Sequence, residues 1–156
     1  MRARRCIAVI GAGSCDDSQA AAAEDVGRLL ARAGALLVCG GLGGVMEAAC
    51  RGAKAEGGTT VGILPGLDRG DANQWVDVAI PTGLGEARNV LVVRATDALI
   101  AIGGEFGTLS EIAFALKTGK PVVGLGTWVL VQRPDAIVQA TNAAEAVSLA
   151  LGHAKG

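Results

Sequence analysis

Few residue types in this sequence are available for chemistry. The only histidine is His153, near the C-terminal end, and there is no tyrosine. The inventory therefore argues against a Ser-His-Asp triad, a histidine-rich metal site and a tyrosine acid. Arginine, carboxylates and backbone amides must carry any reaction or recognition. The densest cluster of such groups is GGEFGTLSE, residues 103–111. There Glu111 is either a reactive carboxylate beside a bound phosphate or one half of a helix cap. Thr108-Leu-Ser-Glu111 has the form of a capping box, with Thr at the N-cap and Glu three positions later. As a cap it would contribute about 1 kcal/mol to the helix and no chemistry. The two readings are compatible, because a capping glutamate lies beside a helix start where a phosphate would dock.

The elements that must position these residues alternate. CIAVI (6–10) is a continuous apolar run, as expected of a strand buried on both faces, and GAGS ends it. Val26, Leu29, Leu30 and Ala33 follow at helical spacing, stopped by Gly34. LLVC (36–39) is a second buried strand, closed by GGLGG. Met46, Ala49, Cys50 and Ala53 mark the face of a second helix. TTVGIL (59–64) is a third strand, followed by the polar connection PGLDRGDANQW (65–75). VDVAI (76–80) is a shorter strand, and helical spacing resumes from about Gly83 to Ala95. ALIAI (98–102) leads into the 103–111 motif and the helix bearing Leu109, Ile112, Ala113 and Leu116. Pro121 to Leu125 is a further strand, and 143–151 a closing helix. Such alternation predicts βαβ units and a parallel sheet covered on both sides. The expectation is a single Rossmann-like three-layer α/β domain over residues 1–156, with a mostly parallel sheet.

In that architecture the loops leaving the carboxyl ends of the strands share one edge, where ligands bind. Three glycine-rich segments fall there: Gly11-Ala-Gly13-Ser14, Gly40-Gly41-Leu-Gly43-Gly44 and Gly103-Gly104-Glu105-Phe-Gly107. Each precedes a helix, whose unpaired N–H groups and dipole suit a phosphate. GAGSCD lacks the dinucleotide fingerprint, since Asp16 stands where its last glycine belongs, and no Walker motif is present. Asp16 and Asp17 read most simply as the cap of the first helix.

The bulk properties set limits. With 51% hydrophobic and 19% charged residues and a net charge of −1, the chain reads as a compact soluble protein. The basic start, Arg2, Arg4 and Arg5, is too short to make a nucleic-acid surface. Charged residues or glycine interrupt every apolar run, so no membrane span is expected. Cys6, Cys15, Cys39 and Cys50 have no CxxC spacing, two of them fall in expected buried strands, and all read as reduced small hydrophobes of a cytoplasmic protein; no metal site is expected.

GGLGGVMEA (40–48), ARN (87–89) and GGEFGTLSE (103–111) together resemble the LOG-like nucleotide-binding superfamily, whose members were long labelled possible lysine decarboxylases. The resemblance runs from about Ile7 to Leu125. GILPG, an AN-containing loop, PTGLGEARN and GTLSE make the chain most similar to the short branch that includes molybdenum-cofactor carrier proteins. The superfamily also includes phosphoribohydrolases that split a cytokinin riboside monophosphate. The resemblance implies that Glu111 matches the glutamate of the PGGxGTxxE motif. Arg88 is the arginine set opposite it in the hydrolases, Gly104 to Thr108 form the phosphate loop, and Glu47 follows a loop lying against the nucleotide. It also implies a dimer or larger homo-oligomer, such as a tetramer. Gly103 departs from the motif's proline, Glu105 from its second glycine, and Asn89 from the usual lysine. Glu105 would repel a dianionic phosphate and Asn89 removes a compensating charge. Both changes weaken cleavage more than binding.

The expected ligand is a small phosphorylated molecule: phosphate, a nucleotide or the molybdenum cofactor. No cofactor is required. The decarboxylase label finds no support, since none of Lys54, Lys117, Lys120 or Lys155 falls at a strand-end loop, where a Schiff base would be needed. Other readings stay open. Arg88 could pack its stem on the core, or pair with Glu86 or Asp97. Glu47 could serve only the helix dipole. Asp68, Arg69, Asp71 and Asn73 form either a solvated loop or a lid.

Overall fold

The computed structural model describes residues 3–154. Arg2 of the basic start and Lys155 lie outside them. One seven-stranded sheet organises the chain: β1 (Cys6–Gly11), β2 (Leu36–Cys39), β3 (Thr59–Leu64), β4 (Val78–Pro81), β5 (Ala98–Ile102), β6 (Val122–Leu125) and β7 (Val138–Gln139). The strand order is β4-β3-β2-β1-β5-β6-β7 and all six pairings are parallel. The helices are α1 (Asp17–Arg32), α2 (Val45–Ala55), α3 (Asn89–Arg94), α4 (Phe106–Lys117) and α5 (Ala143–His153).

Alternate side chains of each strand serve two cores, because successive Cβ atoms point to opposite faces. Ile7 and Val9 pack with Ala23, Val26, Leu30, Ala49 and Ala146 on the side of α1, α2 and α5. Ala8 and Ile10 pack with Val92, Val93, Ile112 and Ala115 on the side of α3 and α4. This is the three-layer Rossmann-like arrangement. Strand β5, next to the central β1, is buried along its whole length, which is why its sequence is uninterruptedly apolar. None of the described helices is long and apolar enough to cross a membrane.

Several boundaries differ from the sequence reading. The expected helix over 83–95 is interrupted: Gly83 and Gly85 have φ of 66° and 58°, outside the helical region. A 3-10 turn, Gly85–Arg88, therefore precedes a short α3. β4 begins at Val78 and runs to Pro81, two residues later at its start than expected. β7 has only two residues, too few for a period-two signal. Arg4 and Arg5 do not form a free basic patch. The Arg4 Nε donates to Gly34 O at 3.1 Å, and the Arg5 guanidinium donates to Leu151 O.

The order of strand addition reverses between β1 and β5, while every strand stays parallel: from β1 the sheet grows one way through β2 to β4, and from β5 the other way through β6 and β7. The loops leaving β1 and β5 diverge at that point and open a crevice, the usual ligand position in such sheets.

Candidate functional site

A cleft of about 600 Å³ occupies this crevice, within the usual range for small-molecule sites. Its base is the end of β1, Val9 to Gly11. Ala12, Gly13 and Ser14 continue one wall, Gly40, Leu42 and Met46 another, and Arg88, Asn89, Glu105, Gly107, Thr108 and Glu111 complete it. Of the residues singled out in the sequence, Gly11, Gly13, Ser14, Gly40, Arg88, Asn89, Glu105, Gly107, Thr108 and Glu111 come together here. Gly41, Gly43, Gly44, Glu47, Gly103 and Gly104 do not line the cleft. Gly44 is instead the N-cap of α2. The apolar contributors Val9, Ile10 and Met46 read in sequence only as core, and Leu42 only as part of a glycine loop.

The three helix starts differ. At α1 the site is taken by the chain itself. Asp16 is the N-cap, its Oδ1 accepts from the Gln19 N–H at 2.7 Å, and the Gln19 side chain accepts from the Asp16 N–H at 3.3 Å. A carboxylate already fills the place an incoming anion would take. At α2 the Val45 N–H is used by Ala12 O at 3.1 Å. At α4 the N-cap is Glu105, in extended conformation with no side-chain cap. Its carbonyl accepts from Leu109 N–H at 3.0 Å. Among the described residues the amides of Phe106, Gly107 and Thr108 ahead of it find no acceptor. They are the free donors of a helix start.

This geometry corrects the capping-box reading of Thr108 and Glu111. The helix begins earlier than Thr108 implies, because Gly103 and Gly104 take φ of 53° and 110° and turn the chain before Glu105. Thr108 is then the third helical residue, and Glu111 lies more than a turn inside. Glu111 cannot reach back to cap; it is buried, 7% exposed, against the cleft.

Arg88 stands at the junction of the 3-10 turn and α3, 9% exposed. Its Nη2 donates to Gly40 O at 3.4 Å and its Nη1 to Asn89 Oδ1. Asn89 Nδ2 in turn donates to Ser110 Oγ at 3.2 Å. The Arg88 Nε is buried with no partner. Among the described residues no carboxylate lies within ion-pair distance of Arg88. Neither Glu86, which is exposed, nor Asp97, whose Oδ2 accepts from Cys6 N–H at 2.8 Å, is its partner. A buried cation without a counter-ion carries a large desolvation penalty. An anion entering the cleft would relieve it. Burial pushes the Glu111 carboxyl up to about 7, against the opposing pull of the Arg88 charge. Such a carboxyl exchanges its proton near neutrality.

The polar 65–75 connection does not cover the cleft. Asp68, Arg69 and Asp71 face solvent. Asn73 pins the segment instead, donating from its side chain to Leu42 O at 2.9 Å and from its backbone to Gly41 O at 2.9 Å. Glu47 is half-buried outside the cleft. Cys39 and Cys50 are buried with unbonded sulfurs 3.6 Å apart. The neighbouring sulfur and burial push the Cys50 thiol well up. Among the described residues no group of three or more His, Cys, Asp or Glu is placed to hold a metal ion.

Comparison with known proteins shows the family and the fold. The sequence profile of the SLOG cluster4 family matches residues 4–152. An uncharacterized protein of Archaeoglobus fulgidus is 50% identical over 126 residues, 81% of this chain and 83% of its own length. The molybdenum cofactor binding protein of Rippkaea orientalis superposes with a TM-score of 0.91 at 36% identity, over 97% of this chain and 98% of that one. The Moco carrier protein of Chlamydomonas reinhardtii gives 0.87 at 36% identity, over 96% and 97%. The DNA processing protein A of Helicobacter pylori, at 20% identity and a TM-score of 0.73 over 97% of this chain and 82% of its own, shares the fold.

Proposed function

The chain belongs to the SLOG cluster4 family, and from that premise we propose that it binds a phosphorylated, nucleotide-type molecule in the β1/β5 crevice, with the molybdenum cofactor as the particular ligand. The observation that carries this reading is the uncapped start of α4 beside Arg88, a buried guanidinium with no counter-ion. Backbone N–H groups of Gly107 and Thr108 would receive the phosphate, aided by the helix dipole and the Arg88 charge. Asn89 holds the arginine from the side. Ile10, Leu42 and Met46 supply the apolar wall that a flat heterocycle needs. The relatives from Rippkaea orientalis and Chlamydomonas reinhardtii, described as a molybdenum cofactor binding protein and a Moco carrier protein, support this choice. A carrier would hold the molecule by its phosphate and shield its body from water, with no covalent step.

The same reading includes a cytoplasmic location, in keeping with four free thiols. It also includes a homodimer or tetramer, supported by exposed Leu67, Phe106 and Val131. No separate cofactor is part of it.

A second reading, hydrolysis of the N-glycosidic bond of a nucleoside 5′-monophosphate, is favoured by one observation: Glu111 and Arg88 face the same cleft as the α4 start. There Glu111 would stabilise positive charge at the anomeric carbon or orient water. Burial works against it by keeping much of the carboxyl neutral at pH 7. Calorimetric titration with a panel of nucleoside monophosphates, followed by chromatography of the mixtures, separates the two. Binding with intact nucleotide supports the carrier. Base release that Glu111→Gln abolishes supports the hydrolase and overturns the carrier.

A further inference from the structure

The segment after β6 reaches across to the turn that opens α4. Thr127 Oγ1 donates to Gly103 O at 2.5 Å, and Trp128 Nε1 donates to Glu105 O at 3.3 Å. The Trp128 ring packs on Phe106, with centroids 5.7 Å apart and planes tilted by 35°. Thr127 is itself held: its methyl fills the space over Gly124, where a Cβ would come within 2.6 Å of Cγ2. From below, Gly103 N–H donates to Leu125 O at 3.1 Å.

The turn needs such restraint. Gly103 and Gly104 both have positive φ, and glycine gives the free chain many alternatives. A trans peptide is planar, with its C=O and the next N–H pointing in opposite directions. Fixing the Gly103 carbonyl therefore fixes the Gly104 N–H, and fixing the Glu105 carbonyl fixes the Phe106 N–H. Neither Thr127 nor Trp128 lines the cleft.

We propose that Thr127 and Trp128 are positioning residues that strap the Gly103–Glu105 turn and so aim the first amides of α4 at the anion; the role rests on the anion-site reading above. The strap joins two strand-end loops, those after β5 and β6, so the sheet itself sets the donor geometry.

The test compares wild type with Thr127→Val, Thr127→Ser and Trp128→Phe. Each is titrated with inorganic phosphate and with AMP by calorimetry. Exchange of the Gly103 and Leu109 amides is followed separately without ligand. Thr127→Val should bind both probes roughly five- to tenfold more weakly, the worth of one net hydrogen bond, while Thr127→Ser restores affinity. Trp128→Phe keeps the ring stack and should show a smaller loss of the same kind. Both losses should come with faster exchange at Gly103 and Leu109. Wild-type affinity and unchanged exchange in Thr127→Val overturn the strap, as does equal weakening by Thr127→Ser. If wild type binds neither probe, the anion-site reading fails, and exchange alone then decides whether the strap holds the turn.

Discussion

Replacing Glu111 with glutamine should stabilise the protein, by an amount that depends on pH. Glutamine has nearly the shape of a protonated glutamate and never ionises. In the unfolded chain the carboxyl titrates near 4.5, and in the folded protein burial raises this to about 7. Between those values the folded state binds more protons than the unfolded state, so stability falls as pH rises through the window. At ~1.4 kcal/mol per unit, the displacement makes about 3 kcal/mol that wild type loses between pH 4.5 and pH 8. The variant does not carry this loss. The two proteins should therefore unfold alike at pH 4.5 and diverge steadily above it. At pH 8 the difference should reach about 3 kcal/mol in urea, or roughly 6–12 °C in melting temperature for a chain of this size. Because other titrating groups are common to both, the difference isolates Glu111. A gap that is constant with pH, or one that narrows as pH rises, would refute the burial argument.

Three further outcomes follow from the site. Arg88→Met should lose at least about tenfold in phosphate affinity by calorimetry, yet melt at the same temperature or higher, because it removes a buried charge that has no counter-ion. Glu105→Gln should strengthen phosphate and AMP binding by a few-fold at low ionic strength, an advantage that salt erases; unchanged affinity would mean the exposed carboxylate points away from the anion. Asp16→Ala should cost about 1 kcal/mol in urea denaturation through the lost α1 cap, with phosphate affinity unaltered. A change in affinity would mean that the α1 start also takes the anion.

Most strands were legible because each is buried on both faces and reads as an apolar run between glycines. CIAVI and ALIAI are the clearest, and their adjacency in the sheet creates the crevice. The same apolar character hid part of the site. Val9 and Ile10 satisfy the core pattern completely, and nothing in their sequence marks the end of β1 as a cleft floor. The Asp16 cap was readable, since its carboxylate needs only the local backbone. The Thr108–Glu111 cap was misread for a related reason: the motif fits locally, but the positive φ of Gly103 and Gly104 starts the helix earlier. The missing partner of Arg88 is a long-range property. Asp97 lies beside Cys6 at the start of β1 and β5, whereas Arg88 reaches Gly40 at the opposite, carboxyl edge of the sheet, a separation no local pattern encodes. Thr127 and Trp128 gave no signal either, because they sit in an irregular segment and act on carbonyls more than twenty residues away.

The most direct test of the central claim is native mass spectrometry of the freshly purified protein, alongside Arg88→Met prepared in the same way. The claim predicts a bound phosphorylated small molecule on wild type, released on denaturation and identified by its fragments, and its loss from the variant. Wild type carrying no such molecule and giving no thermal shift with phosphate or nucleotides would contradict it, as would a ligand that Arg88→Met retains in full.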